Sequence, residues 1–159
     1  VVDVNNGLDG EGPMSPERAG TVPSVGLVHL CYSWRYSLHE ITARLVGQGG
    51  MVAYLGTNNA LEAEQRAAAG DEQAHLVLEA IAYQVAKEIG RAVAVLRGRA
   101  DAILITGGLA RSEDLMEGIR RRVEFLAPVR VYPGEDEMAA LAEGAWRVLT
   151  GEEEPREYR

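Results

Sequence analysis

The sequence contains 159 residues, of which 47% are hydrophobic and 25% charged, and its formal net charge is −8. These values are typical of one globular domain with a hydrophobic core, and they exclude a disordered chain and argue against a nucleic-acid-binding surface, which requires a basic patch. The single cysteine, Cys31, excludes an internal disulfide and fits a reducing compartment, so we expect a cytoplasmic protein. No membrane-spanning run and no signal peptide is visible, so we expect no membrane partner.

The first segment of functional interest is a loop that carries Arg18. Residues 1–5 are predicted to form a strand, and because the chain opens with Val1 and not with Met, we expect it to be a piece of a longer protein. The Gly- and Asn-rich loop 5–13 leads into residues 15–21, where Arg18 lies between small residues. A guanidinium can bind a carboxylate or phosphate through two parallel hydrogen bonds. A surface arginine without a ligand is the alternative.

The middle of the chain is predicted to be mainly helical. Two short helices are expected at 27–33 and 37–46, the second with a capping box formed by Ser37 and Glu40. Residues 51–55 read as a strand. The polar residues 57–59 then cap a helix over 60–69, and the periodic apolar positions of 71–97 predict a long amphipathic helix.

The last third of the chain contains a strand, a glycine turn and a helix without a gap between them. The apolar run 102–105 is typical of a strand covered on both faces, and Gly107-Gly108 ends it. Ser112 is the expected N-cap of a helix that extends to about residue 125. Such a turn lets a ligand approach the bare backbone at the carboxyl edge of a sheet. A tight turn without a ligand is the alternative.

A second strand is expected at 129–132, followed by a last helix that opens with Glu135, Asp136 and Glu137. The helix dipole alone explains acids at this position. The alternative is that they bind a divalent metal or its water shell. The order of elements indicates an α/β fold, the second half of a ribonuclease-H-like unit with helices inserted after its first strand. The dinucleotide fingerprint is missing, which argues against a dinucleotide-dependent oxidoreductase.

Six blocks of the sequence, in order, resemble the carboxyl-terminal portion of the butyrate kinases. They include Leu-Gly-Thr-Asn at 55–58 and Thr-Gly-Gly-Leu-Ala at 106–110. The full set of blocks covers residues 1–13, 15–20, 51–58, 82–90, 106–110 and 132–137. Butyrate kinases belong with the acetate kinases to the acetokinase branch of the sugar-kinase, heat-shock-70 and actin superfamily, in which two ribonuclease-H-like domains close on a nucleotide.

The resemblance implies a partial ribonuclease-H-like, actin-like ATPase domain with a mixed sheet flanked by helices. Residues 1–159 would be the nucleotide-side domain of a two-domain carboxylate kinase, without its first strands and its amino-terminal domain. The implied reaction is reversible transfer of the γ-phosphoryl group of ATP, with Mg²⁺, to butyrate or another short-chain carboxylate. The implied partners are the missing amino-terminal half and a second copy in a homodimer. A non-catalytic nucleotide-binding or dimerisation module is the alternative.

The resemblance also implies roles for individual residues. Arg18 would be catalytic and face the carboxylate and the transferring phosphoryl group, while Asp3 and Asn6 would lie on the substrate side. The implied nucleotide-binding residues are Asn58, Asn59, Gly107, Gly108 and Leu109, and the implied metal-binding acids are Glu137 and Glu135, or Asp136 in their place. The family pattern Asp-Ala-Arg after Thr57-Asn58 is here Asn59-Ala60-Leu61. Leu61 therefore cannot supply the guanidinium that stacks on the base in the relatives.

Overall fold

The computed structural model describes residues 1–134 and 137–155, which form a mixed α/β structure. Its helices and strands, in chain order, are α1 (Ser24–Cys31), α2 (Leu38–Leu45), α3 (Gly50–Leu55), α4 (Ala60–Ala68), α5 (Glu72–Val95), β1 (Ile103–Gly107), α6 (Glu113–Val123), β2 (Val129–Pro133) and α7 (Glu137–Leu149). Short 3₁₀ turns occupy Gly7–Asp9 and Gly108–Arg111. The predicted α/β class is confirmed, and no helix in the described ranges has an apolar stretch long enough to cross a membrane.

The sheet consists of β1 and β2, which pair in parallel with Ile103 opposite Val129 and Gly107 opposite Pro133. Helix α6 connects the two strands, as expected for a parallel pair. The prediction that the strand at 102–105, now β1, is covered on both faces is wrong. Ile103 is buried, but Leu104 on the opposite face is 65% exposed, because the elements that pack on this pair contact only one of its faces.

The helices predicted from capping signals are confirmed to within a few residues. Ser37 accepts a hydrogen bond from the Glu40 amide and Glu40 bonds back to the Ser37 amide, which completes the predicted capping box of α2. Asn59 caps α4, and Ser112 caps α6 by accepting from the Leu115 amide at 3.1 Å. The long predicted helix is α5, whose N-cap is Asp71.

Two predicted strands are absent from the structure. Residues 51–55 form helix α3, in which Met51 and Leu55 are both buried one helical turn apart. The amides of Met51 and Val52 donate to the carbonyl groups of Ser15 and Pro16 in an earlier loop. These long-range hydrogen bonds stabilise the start of the helix. Residues 1–5 are exposed and irregular, because no strand of the described residues lies beside them to accept their backbone hydrogen bonds.

The core lies between α5, α6, α4 and the inner face of the sheet. Met51, Ile81, Ile119 and Val123 are its largest fully buried side chains. Gly118 on α6 faces Ala82 on α5, where an added Cβ would lie 3.1 Å from the Ala82 methyl carbon. The close contact of α5 with α6 fixes β1 and the turn that follows it.

An ion-pair cluster across α5 and α6 gives the fold a predicted acid sensitivity. Glu79 accepts from Arg122 at 2.7 Å and from Arg121 at 2.5 Å. The Arg122 hydrogen bond is the largest cause of a Glu79 pKa below its ordinary 4.5. Because the folded-state pKa is lowered, this contribution to stability is present above about pH 4.5 and is lost as the pH falls through the folded-state pKa.

We therefore expect the unfolding free energy of Glu79→Gln to fall less between neutral and acidic pH than that of the wild type. Urea titrations at a series of pH values measure this slope. Glu143→Gln is the matched control, because Glu143 is exposed and makes no ion pair among the described residues. Equal slopes for the wild type and Glu79→Gln would contradict the assignment.

Candidate functional site

A cleft of about 440 Å³ opens beside the carboxyl end of β1. One wall is the start of α4, and the other is the 3₁₀ turn that follows β1. The lining residues are Pro16, Asn58, Asn59, Ala60, Leu61, Glu64, Gly108, Leu109, Arg111 and Ser112. The structure thus brings together four of the five residues that the sequence analysis assigned to the nucleotide, from two segments about 50 positions apart in the chain.

Gly107 and Gly108 form the floor of the turn in different ways. Gly107 has φ +95° and ψ 178°, a conformation open to glycine alone, and it exchanges backbone hydrogen bonds with Gly134 at 3.0 and 3.2 Å. Gly108 begins the 3₁₀ turn and lines the cleft. Gly107 does not line the cleft. Its contribution is the sharp turn that presents the Gly108 backbone.

The α4 wall carries two asparagines whose side chains are partly engaged. The Asn59 side-chain oxygen accepts from the Leu61 and Glu62 amides at 3.1 and 3.4 Å, which leaves its amide nitrogen for a ligand. The Asn58 amide nitrogen donates to Glu17 Oε1 at 2.9 Å. This bond joins the cleft to the loop that carries Arg18.

Three polar residues of the cleft were missed as ligand candidates from the sequence. Ser112 was expected only as a helix cap, yet its hydroxyl also donates to Glu64 Oε1 across the cleft. Glu64 lies one turn after Ala60, so helical periodicity from the predicted α4 was the signal available for it. Arg111 ends the 3₁₀ turn three residues after Gly108. Its position directly after the Gly-Gly-Leu-Ala motif at 107–110 was the signal available for Arg111, but only the fold brings α4 to face this turn.

The loop that carries Arg18 is fixed by the start of α3. The Ser15 amide donates to the Arg18 carbonyl at 3.1 Å, and the Arg18 amide donates to the Ser15 hydroxyl at 3.1 Å. The amides of Met51 and Val52, the first free donors of α3, bond to the carbonyls of Ser15 and Pro16 at 3.1 and 2.9 Å. The loop therefore serves as the N-terminal cap of α3, and the Arg18 backbone has a defined position.

The Arg18 side chain extends over the first 3₁₀ turn. Its Nη1 lies 2.8 Å from the position that a Cβ on Gly7 would occupy, so the guanidinium lies against the residue that follows Asn6. Within the described part of the chain, Arg18 makes no side-chain hydrogen bond or ion pair. The structure thus places the Arg18 guanidinium beside Gly7, the residue after Asn6, while the catalytic role of Arg18 and the substrate-side role of Asn6 stay predictions.

Asp3 lines a groove other than the 440 Å³ cleft. It lines a small groove of about 130 Å³ against the second half of α5, formed with Val4, Asn5, Glu88, Arg91 and Ala92. The Asn5 amide nitrogen donates to Glu88 at 3.2 Å and holds the segment there. The structure does not bring Asp3 to the 440 Å³ cleft.

The predicted metal-binding acids fall largely outside the described residues. Glu135 and Asp136 are not described, and Glu137 is described only as the first residue of α7. Among the described side chains, no group of three His, Cys, Asp or Glu residues converges to hold a metal ion. The metal assignment stays a prediction.

The chain is similar in fold to carboxylate kinases of known structure. A propionate kinase from Francisella tularensis subsp. tularensis SCHU S4 superposes with a TM-score of 0.70 at 23% identity over 82% of this chain and 39% of its own. The acetate kinase of Porphyromonas gingivalis gives 0.73 at 21% identity over 84% and 40%, and that of Entamoeba histolytica gives 0.73 at 14% over 85% and 43%. The chain thus spans about two-fifths of these proteins.

The sequence pattern of one family accounts for most of the chain. The sequence model of the acetokinase family matches residues 2–132, which include the Arg18 loop, both walls of the cleft, β1 and all but the last residue of β2. This match and the fold similarity agree. The chain belongs to the acetokinase family.

Proposed function

We propose that this chain is the nucleotide-side domain of a kinase that transfers the γ-phosphoryl group of ATP to a short-chain carboxylate, with butyrate as the acceptor. The observation that carries the proposal is the cleft at the carboxyl end of β1, built by Asn58, Asn59, Gly108 and Leu109 on a chain of the acetokinase family. Ligands of α/β sheets bind outside the carboxyl ends of the strands.

The cleft suits the nucleoside part of ATP. Ala60, Leu61 and Leu109 offer apolar surface to a base, and the Asn59 amide nitrogen can donate to a ribose or base acceptor. The Glu64 carboxylate can accept from a hydroxyl or amino group, but it would repel a phosphate. The phosphates would therefore leave the cleft and extend toward the Arg18 loop, to which Asn58 is hydrogen-bonded through Glu17.

Arg18 is proposed to stabilise the transferring phosphoryl group. Phosphoryl transfer is catalysed mainly by positioning and by neutralising charge on the equatorial oxygens. A guanidinium that has no side-chain partner among the described residues, on a backbone held by the start of α3, fits this role. Mg²⁺ would supply further charge neutralisation, held by Glu137 with Glu135 or Asp136, since carboxylates and substrate phosphates are its usual protein ligands.

The partners are part of the same proposal. The exposed face of β1 at Leu104 and the exposed apolar residues of α7 support a longer protein whose remaining half covers them. On α7 these are Met138, Leu141, Trp146 and Leu149. We propose that the complete protein is cytoplasmic, forms a homodimer and contributes the rest of the carboxylate pocket from its amino-terminal half.

The test is acyl phosphate formation by the full-length protein with ATP and Mg²⁺, trapped by hydroxylamine as the hydroxamate. Initial rates are measured over the same concentration series of butyrate, propionate and acetate, and reactions without ATP are the control. We expect the highest kcat/KM with butyrate. A preference for acetate or propionate would overturn the butyrate assignment but keep the kinase. ATP binding without any acyl phosphate would favour the non-catalytic module.

A further inference from the structure

Arg111 is a charged residue of the cleft that the reaction proposed above does not use. It is exposed and makes no side-chain hydrogen bond or ion pair with any residue that the structure describes. Its Nη2 lies 4.0 Å from the position that a Cβ on Gly134 would take, so the guanidinium reaches the carboxyl end of β2. Among the described residues that line the cleft, it is the single cation.

The wall that faces the 3₁₀ turn is apolar where a flat ligand would lie. Leu61 is 60% exposed and lines the cleft beside Ala60, while Leu109 lines the wall that carries Arg111. Aliphatic side chains offer apolar contact to an aromatic ring, and a guanidinium adds cation–π and stacking attraction to its face. On the β1 side of the cleft, the Arg111 guanidinium can therefore stack on a base.

The charge of the neighbouring residues argues against a phosphate as the ligand of Arg111. Glu64 lines the same cleft and its carboxylate would repel a phosphate, whereas a neutral base carries no such cost. The Ser112 hydroxyl donates to Glu64 and keeps the carboxylate in the cleft. Arg111 and Glu64 together suit an uncharged aromatic ring with polar edges.

We propose that Arg111 is a base-binding residue of this cleft, whose guanidinium stacks on the base of the nucleotide. Leu61 on the facing α4 wall offers apolar contact without a charge. The inference rests on the proposed function, because it places the nucleoside of ATP in this cleft.

The test is calorimetric titration of the full-length protein with adenosine and, separately, with ADP. Arg111→Leu is expected to weaken both ligands about tenfold, because the stacked cation contacts the part that they share. Arg111→Lys keeps the charge and loses the plane, so it should restore only part of the affinity. Arg99→Ala is the matched control, since Arg99 is an exposed arginine that precedes β1 at the opposite end of the strand.

The outcomes separate this inference from the proposed function. Loss of ADP affinity with unchanged adenosine affinity would show that Arg111 binds a phosphate and would overturn the stacking role. Unchanged affinity for both ligands in Arg111→Leu would remove Arg111 from the site while the kinase proposal stands. A wild-type protein that binds neither ligand would overturn both.

Discussion

Arg18→Ala, made in the full-length protein, is expected to lower kcat by about 10²–10³, the loss observed when one donor to a developing transition-state charge is removed. The fold should be unaffected, because the Arg18 side chain makes no hydrogen bond or ion pair among the described residues and only its backbone holds the loop. Steady-state kinetics with ATP and butyrate measure kcat, and thermal unfolding checks the fold.

Two further variants test whether the loss of kcat is due to the guanidinium of Arg18. Arg18→Lys keeps a cation but cannot form two parallel hydrogen bonds, so kcat should recover only in part. Arg99→Ala removes an exposed arginine at the amino end of β1 and should leave kcat unchanged. If Arg18→Ala has the kcat of the wild type, Arg18 has no part in the reaction.

The predictions that succeeded depended on local interactions. The helix caps at Ser37, Asn59 and Ser112 form hydrogen bonds within three residues of themselves, so the sequence contains both partners at short spacing. The strand, glycine turn and helix of 102–123 were predictable for the same reason. Gly107 has φ +95°, a value that glycine adopts readily, so the glycine itself indicates the turn without knowledge of its neighbours in the fold.

The failed strand predictions involved partners far along the chain. Residues 51–55 are a short apolar run, and such a run does not distinguish a strand from a buried helix by periodicity. The deciding contacts are the carbonyls of Ser15 and Pro16, about 35 positions earlier, which accept the first amides of α3. Residues 1–5 have strand-like composition, but a strand forms only where another strand pairs with it.

The parts of the candidate site that depend on local sequence could be predicted, and the parts that depend on long-range packing could not. Gly108 and Leu109 carry a motif that can be read locally, and Asn58 and Asn59 follow a second motif. Their meeting in one cleft, together with Glu64 and Arg111, depends on the packing of α4 against α5 and of α5 against α6. A sequence pattern therefore predicted backbone that lines the cleft, and only the fold revealed the charged side chains around it.

Gly50→Ala is expected to destabilise the protein by about 3–5 kcal/mol, a large share of the ~5–15 kcal/mol that holds a domain folded. Gly50 has φ +57°, and a Cβ there would lie 1.9 Å from the Ser15 carbonyl oxygen and 2.5 Å from that of Arg18. Both atoms are backbone, so the loop must move away from α3. Urea unfolding of the full-length protein measures the loss.

Gly56→Ala separates backbone strain from the steric clash. Gly56 ends α3 with φ +73°, but a Cβ there meets nothing within 4 Å, so only the strain of about 1 kcal/mol applies. Since the Arg18 backbone depends on the contact with α3, Gly50→Ala should also lower kcat in the protein that remains folded, and Gly56→Ala should not. Equal destabilisation by the two variants would mean that the loop does not pack on α3 as described.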